Sequence, residues 1–354
     1  MTHSLDAGIA DPTPLATPEP MESTTDDGGA VAAPNLERNL LRPRTLLSFL
    51  FAAVIVVFVV RSVKLDFAAV WARMRAANQL LLVAAFAVYY CTFVVRGLRW
   101  RTLLGNVGYS RADGHPMPSV AGLVEILYLS WFTNCIVPAR LGDAYRGYML
   151  KKSAGVSFTV TLGTILAERL IDITVLAAMM SGAALVAFRG SLPAEAERAL
   201  LGGVVLSVVG IGVLLVLPRL RPLVHRLLPQ RLHAHYAGLE SGIVGSFRRI
   251  PQLLGYSIVA WLIEGTTLFL VARAVGAPVA IPAAIVVALI ASLLSIIPFT
   301  PAGLGMVEAG FVLVLTQLGL NTTTAGAVSL LDRVVTYWSI IFIGAIVYIA
   351  SRKK

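Results

Sequence analysis

Long apolar runs dominate this chain and decide which solvent surrounds it. They lie at about 46–60, 79–95, 118–137, 158–188, 199–217, 252–275, 279–297, 303–320 and 325–350. A hydrocarbon core about 30 Å thick takes roughly 20 apolar residues as a helix. In lipid the backbone must satisfy its own hydrogen bonds, which leaves helices and closed barrels. These runs lack the two-residue alternation of barrel strands, so helix is the expected state. Composition agrees: 57% of residues are hydrophobic and 14% charged, against about 25% charged in a soluble domain. The expected fold class is an all-α polytopic membrane protein.

Residues 1–42 read differently. The stretch 1–37 carries Asp6, Asp11, Glu19, Glu22, Asp26, Asp27 and Glu37 with no Lys or Arg. It is poor in large apolar side chains and cannot bury enough surface to offset its ordering entropy, so a disordered acidic tail is expected. It lacks the basic start and early apolar core of a secretory signal. The run 46–60 is therefore expected to be a retained helix, and 43–354 the membrane domain. Removing the −7 of residues 1–37 from the overall +10 leaves +17 on residues 38–354. The basic residues flank apolar runs, which favours contact with anionic headgroups over nucleic acid.

Positive charge also orients the chain. The loop 218–250 holds Arg219, Arg221, Arg226, Arg231, Arg248 and Arg249 against Glu240, and the chain ends Arg352-Lys353-Lys354. Both are expected on the cytoplasmic side, with that loop lying on the membrane surface. Arg38, Arg42 and Arg44 place the N-terminus inside, while Arg61, Lys64, Arg73 and Arg75 after the first run argue the opposite way. Nine crossings cannot return the chain to the side it started from. A re-entrant 118–150 leaves about eight crossings.

Two segments break an apolar run with the same frame. Pro138-Ala-x-Leu-Gly142 and Pro301-Ala-x-Leu-Gly305 lie 163 residues apart, and an acid–Arg pair follows each, Glu168-Arg169 and Asp332-Arg333. Two matched features at one offset predict an internal repeat with halves at roughly 79–188 and 252–350. If 279–320 is a hairpin entering from outside, the repeat is inverted, as in many transporters whose sites lie where broken helices meet. Pro138, Gly142, Pro301, Gly303 and Gly305 are the expected helix breaks, since Pro removes a donor and Gly permits unusual backbone.

Charged groups at a helix centre cost about 2.5–3.5 kcal/mol each on insertion scales. This chain nonetheless places Glu168, Arg169, Asp172, Glu264, Glu308, Asp332 and Arg333 in apolar surroundings. Glu168, Arg169 and Asp172 project to neighbouring faces of one helix. One Arg cannot neutralise two carboxylates, so a further cation is expected from Arg140, Arg146 or Arg333. Arginine suits phosphate because its planar fork donates two parallel hydrogen bonds. The expected headgroup cavity comprises Asn134, Arg140, Asp143, Arg146, Glu168, Arg169, Asp172, Glu308 and Arg333. The competing readings are a buried ion-pair network that fixes helix packing, and a proton route through Glu168 or Asp172. Arg96 and Arg99, beside Trp100 and Arg101, read as an interfacial anchor.

Other chemistries find little support. No Gly-x-x-x-x-Gly-Lys-Ser/Thr loop, Gly-x-Ser-x-Gly elbow or His-Glu-x-x-His occurs. His225, His233 and His235 lack Cys or carboxylate partners at ligand spacing, and Cys91 and Cys135 read as small buried apolar residues. No metal, cofactor or enzymatic activity is expected.

The stretch Asn134, Pro138, Arg140, Gly142, Asp143, Arg146 resembles a motif of the lysylphosphatidylglycerol synthetase transmembrane family, also called flippase-like proteins. So do Glu168, Arg169 and Asp172, then Pro301, Gly303, Gly305 and Glu308, and the late Arg333. The resemblance covers about 45–350. It implies an eight-helix membrane domain which, in aminoacyl-phospholipid synthases, moves the modified lipid across the bilayer. Those proteins also carry a C-terminal synthase domain; this chain stops at Lys354, so lysyl transfer is not expected of it. Stand-alone members are linked to lipid, polyprenyl-glycan or hopanoid pathways. The family often has Glu where this chain has Asp143, which keeps the charge and shortens its reach. The implied function is translocation of an anionic, aminoacylated or glycosylated lipid. The alternatives are a non-transporting scaffold for a lipid-modifying or glycosyltransferase partner, and a transferase using Asp143 or Glu168 as base.

Cysteine substitutions along 298–302 test the second break. A hairpin entering from outside predicts protection or labelling from outside; labelling from the cytoplasm alone means two full crossings.

Overall fold

The structure is a computed structural model that describes residues 66–110, 116–137, 141–188, 229–296 and 300–351, with isolated positions at 50, 114 and within 201–227. The acidic tail, the run 46–60, Pro138 and Arg140 lie outside the described residues.

Every described element is helical. In chain order they are α1 (Phe67–Arg75), α2 (Gln79–Asn106), α3 (Val120–Ile136), α4 (Leu141–Ala154), α5 (Phe158–Phe188) and α6 (His233–Ser246). Then come α7 (Ile250–Ala274), α8 (Ile281–Ile296), α9 (Met306–Gln317) and α10 (Thr322–Ala350), the last with a π-helical turn over Val334–Trp338. Side-chain oxygens set several starts. Asp66, Asn78, Ser119 and Asn321 each accept from backbone amides of the first turn they precede, giving α1, α2, α3 and α10 clean N-termini.

Helix lengths divide into two classes. Gln79–Asn106, Ile250–Ala274 and Thr322–Ala350 are long and apolar enough to cross a membrane. By contrast α3, α4, α8 and α9 have 17, 14, 16 and 12 residues. At 1.5 Å per residue these reach about 18–26 Å, short of a full span. They occur as consecutive pairs, α3–α4 and α8–α9, and the members of each pair pack on each other.

The tip of the first pair is a close backbone approach. Gly142 lies in the first turn of α4, not at a break, and a Cβ there would strike the Ser130 carbonyl and the Asn134 side chain. Asn134 Oδ1 accepts from Gly142 N at 2.8 Å, and Ser130 Oγ donates to Gly142 O at 2.7 Å. Asn134 therefore serves the hairpin's closure. The second tip is a 3₁₀ turn over Pro301–Gly303 in which Ala302, Gly303 and Gly305 all take positive φ. Two of the three are glycine, for which that backbone carries little penalty. The turn packs against α3.

Around them α2 lies along α7, α8 packs on α5, α7 and α9, and α10 on α1, α3, α7 and α9. One apolar cluster joins α1, α2, α3 and α7 to α10, and a second joins α2–α5, α7 and α8. Val83, Val94, Leu262, Leu313, Phe342 and Ile346 point outward, which suits a lipid-facing surface. Residues 233–246, part of the stretch expected to be a surface loop, instead form α6 and pack on α5. Gly238 and Gly242 form a small-xxx-small pair opposite Thr159, Val160 and Gly163, so the backbones touch.

That contact gives a stability test. Gly163→Leu is expected to lower the melting temperature in detergent, corresponding to about 1–3 kcal/mol for forced overpacking. Gly105→Ala, whose Cβ would meet nothing within 4 Å, is the matched control and should show no loss.

Candidate functional site

Two kinds of charge cluster occupy the interior. The first runs from the cavity described below, at Arg96, Asp172 and Glu264, into a dry knot centred on Arg99 of α2. Its Nη2 donates to Glu168 Oε1 at 2.7 Å, and its Nη1 donates to Asp172 Oδ1 and, at 2.7 Å, to Ser257 Oγ. Arg146 of α4 donates to the other oxygen of Glu168 at 2.8 Å and lies 3.9 Å over the Trp100 ring. Arg96, one turn before Arg99, donates to Glu264 Oε1 at 2.7 Å and sits between the Trp131 and Trp261 rings. Ser292 Oγ completes Glu264 at 2.9 Å. The side chains of Arg99 and Glu168 are 1% and 4% exposed. Each carboxylate is held by more than one donor, as buried ions require.

The expected second cation for Glu168 and Asp172 is thus present, but its principal source is Arg99, with Arg146 assisting. Arg96 and Arg99 are not interfacial anchors. Both are buried and ion-paired. The clue in the sequence is their i,i+3 spacing, which puts both on one face of α2, and the excess of carboxylate over arginine on α5.

The second kind is a pair of more accessible bridges. Arg169 Nη2 donates to both oxygens of Asp143, at 3.0 and 3.2 Å, with side chains 23% and 20% exposed. Arg333 Nε donates to Glu308 Oε1 at 2.7 Å, and Arg333 Nη2 to the Ala302 carbonyl at 3.2 Å. Glu308 Oε2 accepts from Gly305 N at 2.6 Å, capping α9. The correspondence is close. Asp143 and Glu308 are each the third residue of the helix after the tip, α4 and α9. Arg169 and Arg333 each follow an acid, Glu168 and Asp332.

A cavity of about 250 Å³ opens beside both bridges, walled by α2, α3, α5, α7–α10 and the 3₁₀ turn. Arg96, Arg169 and Arg333 line it, together with Asp172, Glu264 and Asp332; aromatic walls come from Tyr89, Trp131, Trp261 and Tyr337. Of the residues expected at a headgroup site, Arg169, Asp172 and Arg333 line this space. Asp143 and Glu308 hold its arginines, while Arg146 and Glu168 belong to the dry cluster. Arg140 lies outside the described residues. Arg96, Glu264 and Asp332 join the site although the sequence argument did not place them there. Among the described residues no His/Cys/Asp/Glu group could hold a metal ion.

The dry cluster makes a specific prediction. Arg99→Ala would leave Glu168 and Asp172 short of a cation in low dielectric, costing about 3–5 kcal/mol. It should abolish the monodisperse peak in detergent, whereas Arg169→Ala, at an accessible bridge, should retain it.

Comparison with known proteins gives consistent matches. The family model described as lysylphosphatidylglycerol synthase TM region matches residues 45–344. The chain is 32% identical to the UPF0104 membrane protein MJ1078 of Methanocaldococcus jannaschii, over 62% of this chain and 95% of that protein. It is 24% identical to a UPF0104 membrane protein of Methanothermobacter thermautotrophicus, over 76% and 83% of the respective chains. It is 23% identical to a protein named glycosyltransferase AglD, of Haloferax volcanii, over 73% of this chain and 47% of that one.

Proposed function

The chain belongs to the lysylphosphatidylglycerol synthase transmembrane family, and from that premise we propose that it translocates a lipid with an anionic, aminoacylated or glycosylated headgroup across the cytoplasmic membrane. The observation that carries this reading is the convergence of Arg169 and Arg333, from corresponding places in the two halves, on one cavity. Each is held by a partly accessible carboxylate, Asp143 or Glu308. A headgroup phosphate competes with those carboxylates for the same guanidinium donors, since its oxygens match the planar fork equally well.

Size supports the same reading. Drug-sized ligand pockets run to about 300–1,000 Å³. A cavity of about 250 Å³ holds a headgroup and leaves acyl chains in the bilayer.

The two hairpins α3–α4 and α8–α9 act in this reading as opposed re-entrant segments that both contribute walls to the site, an inverted-repeat arrangement that permits alternating access. Both termini then lie in the cytoplasm. The chain moves its lipid without covalent chemistry.

A second reading is a non-transporting subunit for lipid modification or glycosyl transfer. It is favoured by the similarity to a protein named glycosyltransferase AglD. Co-purification with such an enzyme, and no flipping by the isolated chain, would select it.

Proteoliposomes containing fluorescent phosphatidylglycerol decide between them by dithionite quenching. Wild type is expected to scramble or flip the lipid. Arg333→Gln should slow it about tenfold, the equivalent of one charge-assisted hydrogen bond of about 1.4 kcal/mol. Equal rates for the two would remove Arg333 from the pathway.

A further inference from the structure

Among the described residues the charges around the cavity pair off with one left over. Arg96 takes Glu264, Arg99 takes Asp172, Arg146 takes Glu168, Arg169 takes Asp143 and Arg333 takes Glu308. Asp332 has no ion-pair partner among the described residues. Its side chain is buried, its residue 5% exposed, and it lines the cavity. Its hydrogen-bond partner is the Thr336 hydroxyl, at 3.2 Å from Oδ2. That hydroxyl also lies 2.9 Å from the Asp332 carbonyl, so it bonds the two acceptors alternately.

Among the described residues the surroundings of Asp332 offer no uncommitted cation to settle the balance. On its own helix stand Arg333, committed to Glu308, and Tyr337, whose hydroxyl donates to Cys135 O at 3.0 Å. From α2 come Arg96, committed to Glu264, and Tyr89, whose hydroxyl donates to Thr336 O at 3.1 Å. α3 contributes Cys135, α5 Arg169 and Asp172, α7 Glu264, and α9 the Glu308 that Arg333 holds. No described residue of α1 lines the cavity. The π-helical turn begins two residues after Asp332, so its carboxylate sits where the regular ladder widens. Such turns are frequent at functional sites.

We propose that Asp332 is the proton-binding site of the transport cycle: it takes up a proton when an anionic headgroup enters the cavity and releases it when the headgroup leaves. The inference rests on the translocation reading and supplies its energy coupling. The reasoning is electrostatic. An arriving phosphate monoanion adds negative charge beside a carboxylate that already lacks a counter-ion. Like charges at a shared low-dielectric site disfavour joint ionisation, so one of the two takes a proton. The phosphate is held ionised by Arg333 and its neighbours; Asp332 is the carboxylate with a hydroxyl donor but no ion pair among the described residues. Proton in and headgroup in are thus a neutral pair, H⁺ with the monoanion. Glu168 and Asp172, the carboxylates the sequence favoured for such a route, are both locked by Arg99 and do not suit it.

Calorimetric titration of the purified wild-type chain with short-chain phosphatidylglycerol, and with inorganic phosphate, tests this in two buffers of different ionisation enthalpy. The binding heat is expected to differ between buffers by the uptake of a proton, and Asp332→Asn, a fixed neutral isostere, should bind with the same heat in both. Binding by wild type with no buffer dependence overturns the proton site and leaves translocation standing. Binding of neither probe overturns the anionic-headgroup reading and this inference with it. In proteoliposomes, wild-type flipping should fall by up to about tenfold per pH unit above the site's titration, and Asp332→Asn should flatten that profile. Asp332→Glu, which restores a titratable group, should bring the slope back. An unchanged slope in Asp332→Asn also overturns the assignment.

Discussion

The fold depends on a guanidinium buried where water is scarce. Arg99 has to be inserted with its charge, and the penalty is tolerable only if carboxylates and hydroxyls are waiting at the right distance. Glu168 and Asp172 are four residues apart on α5, which lets Arg99 bond both while Arg146 takes the outer oxygen of Glu168. Ser257 brings α7 into the same knot. Helices α2, α4, α5 and α7 are thereby fixed in rotation and depth by a handful of bonds. Apolar packing alone would not do this, because lipid tails compete equally well for apolar faces. The network specifies a register more than it adds stability, a role for which buried ions are known.

From that fixed frame the two halves present matching parts. Each has a short helix pair, a tip, an acid in the third position after the tip, and an arginine on the next long helix that reaches back to it. They differ in what the neighbouring acid does. Glu168 points into the dry knot and is neutralised, whereas its counterpart Asp332 faces the cavity and is not. The same acid–Arg dipeptide thus braces the frame in one place and lines the cavity in the other.

Much of the helical plan was legible because period and length act locally. The runs at 158–188, 252–275 and 279–297 meet α5, α7 and α8 within a few residues. The matched frames, Pro-Ala-x-Leu-Gly with a following acid–Arg, were legible too. What could not be seen was pairing across helices. Nothing local distinguishes Arg99 at the end of an apolar run from a headgroup anchor; only the approach of α5, some 70 residues away in sequence, decides it. Gly142 read as a helix break for the same reason. Its requirement is for space beside Ser130, a tertiary fact. α6 was hidden because basic residues surround a glycine-spaced face whose purpose is contact with α5.

The accessible bridges differ from the knot in a way that bears on motion. Arg333 holds three things: the Glu308 carboxylate, the Ala302 carbonyl and the face of Tyr337, 4.6 Å away. Ala302 is a non-glycine residue with φ of 46°, a backbone state that costs of order 1–3 kcal/mol and persists only when its surroundings enforce it. Glu308 in turn holds the amide of Gly305. On the proposed translocation, a headgroup oxygen that captured Arg333 would remove a restraint on a strained turn and loosen the carboxylate that caps the helix after it. Ligand arrival and rearrangement of the α8–α9 tip share one guanidinium, so the energy of the first is available to the second. The dry knot has no such exchangeable bond, and a frame that stays still while one tip yields is the mechanical requirement for exposing a cavity to alternate sides.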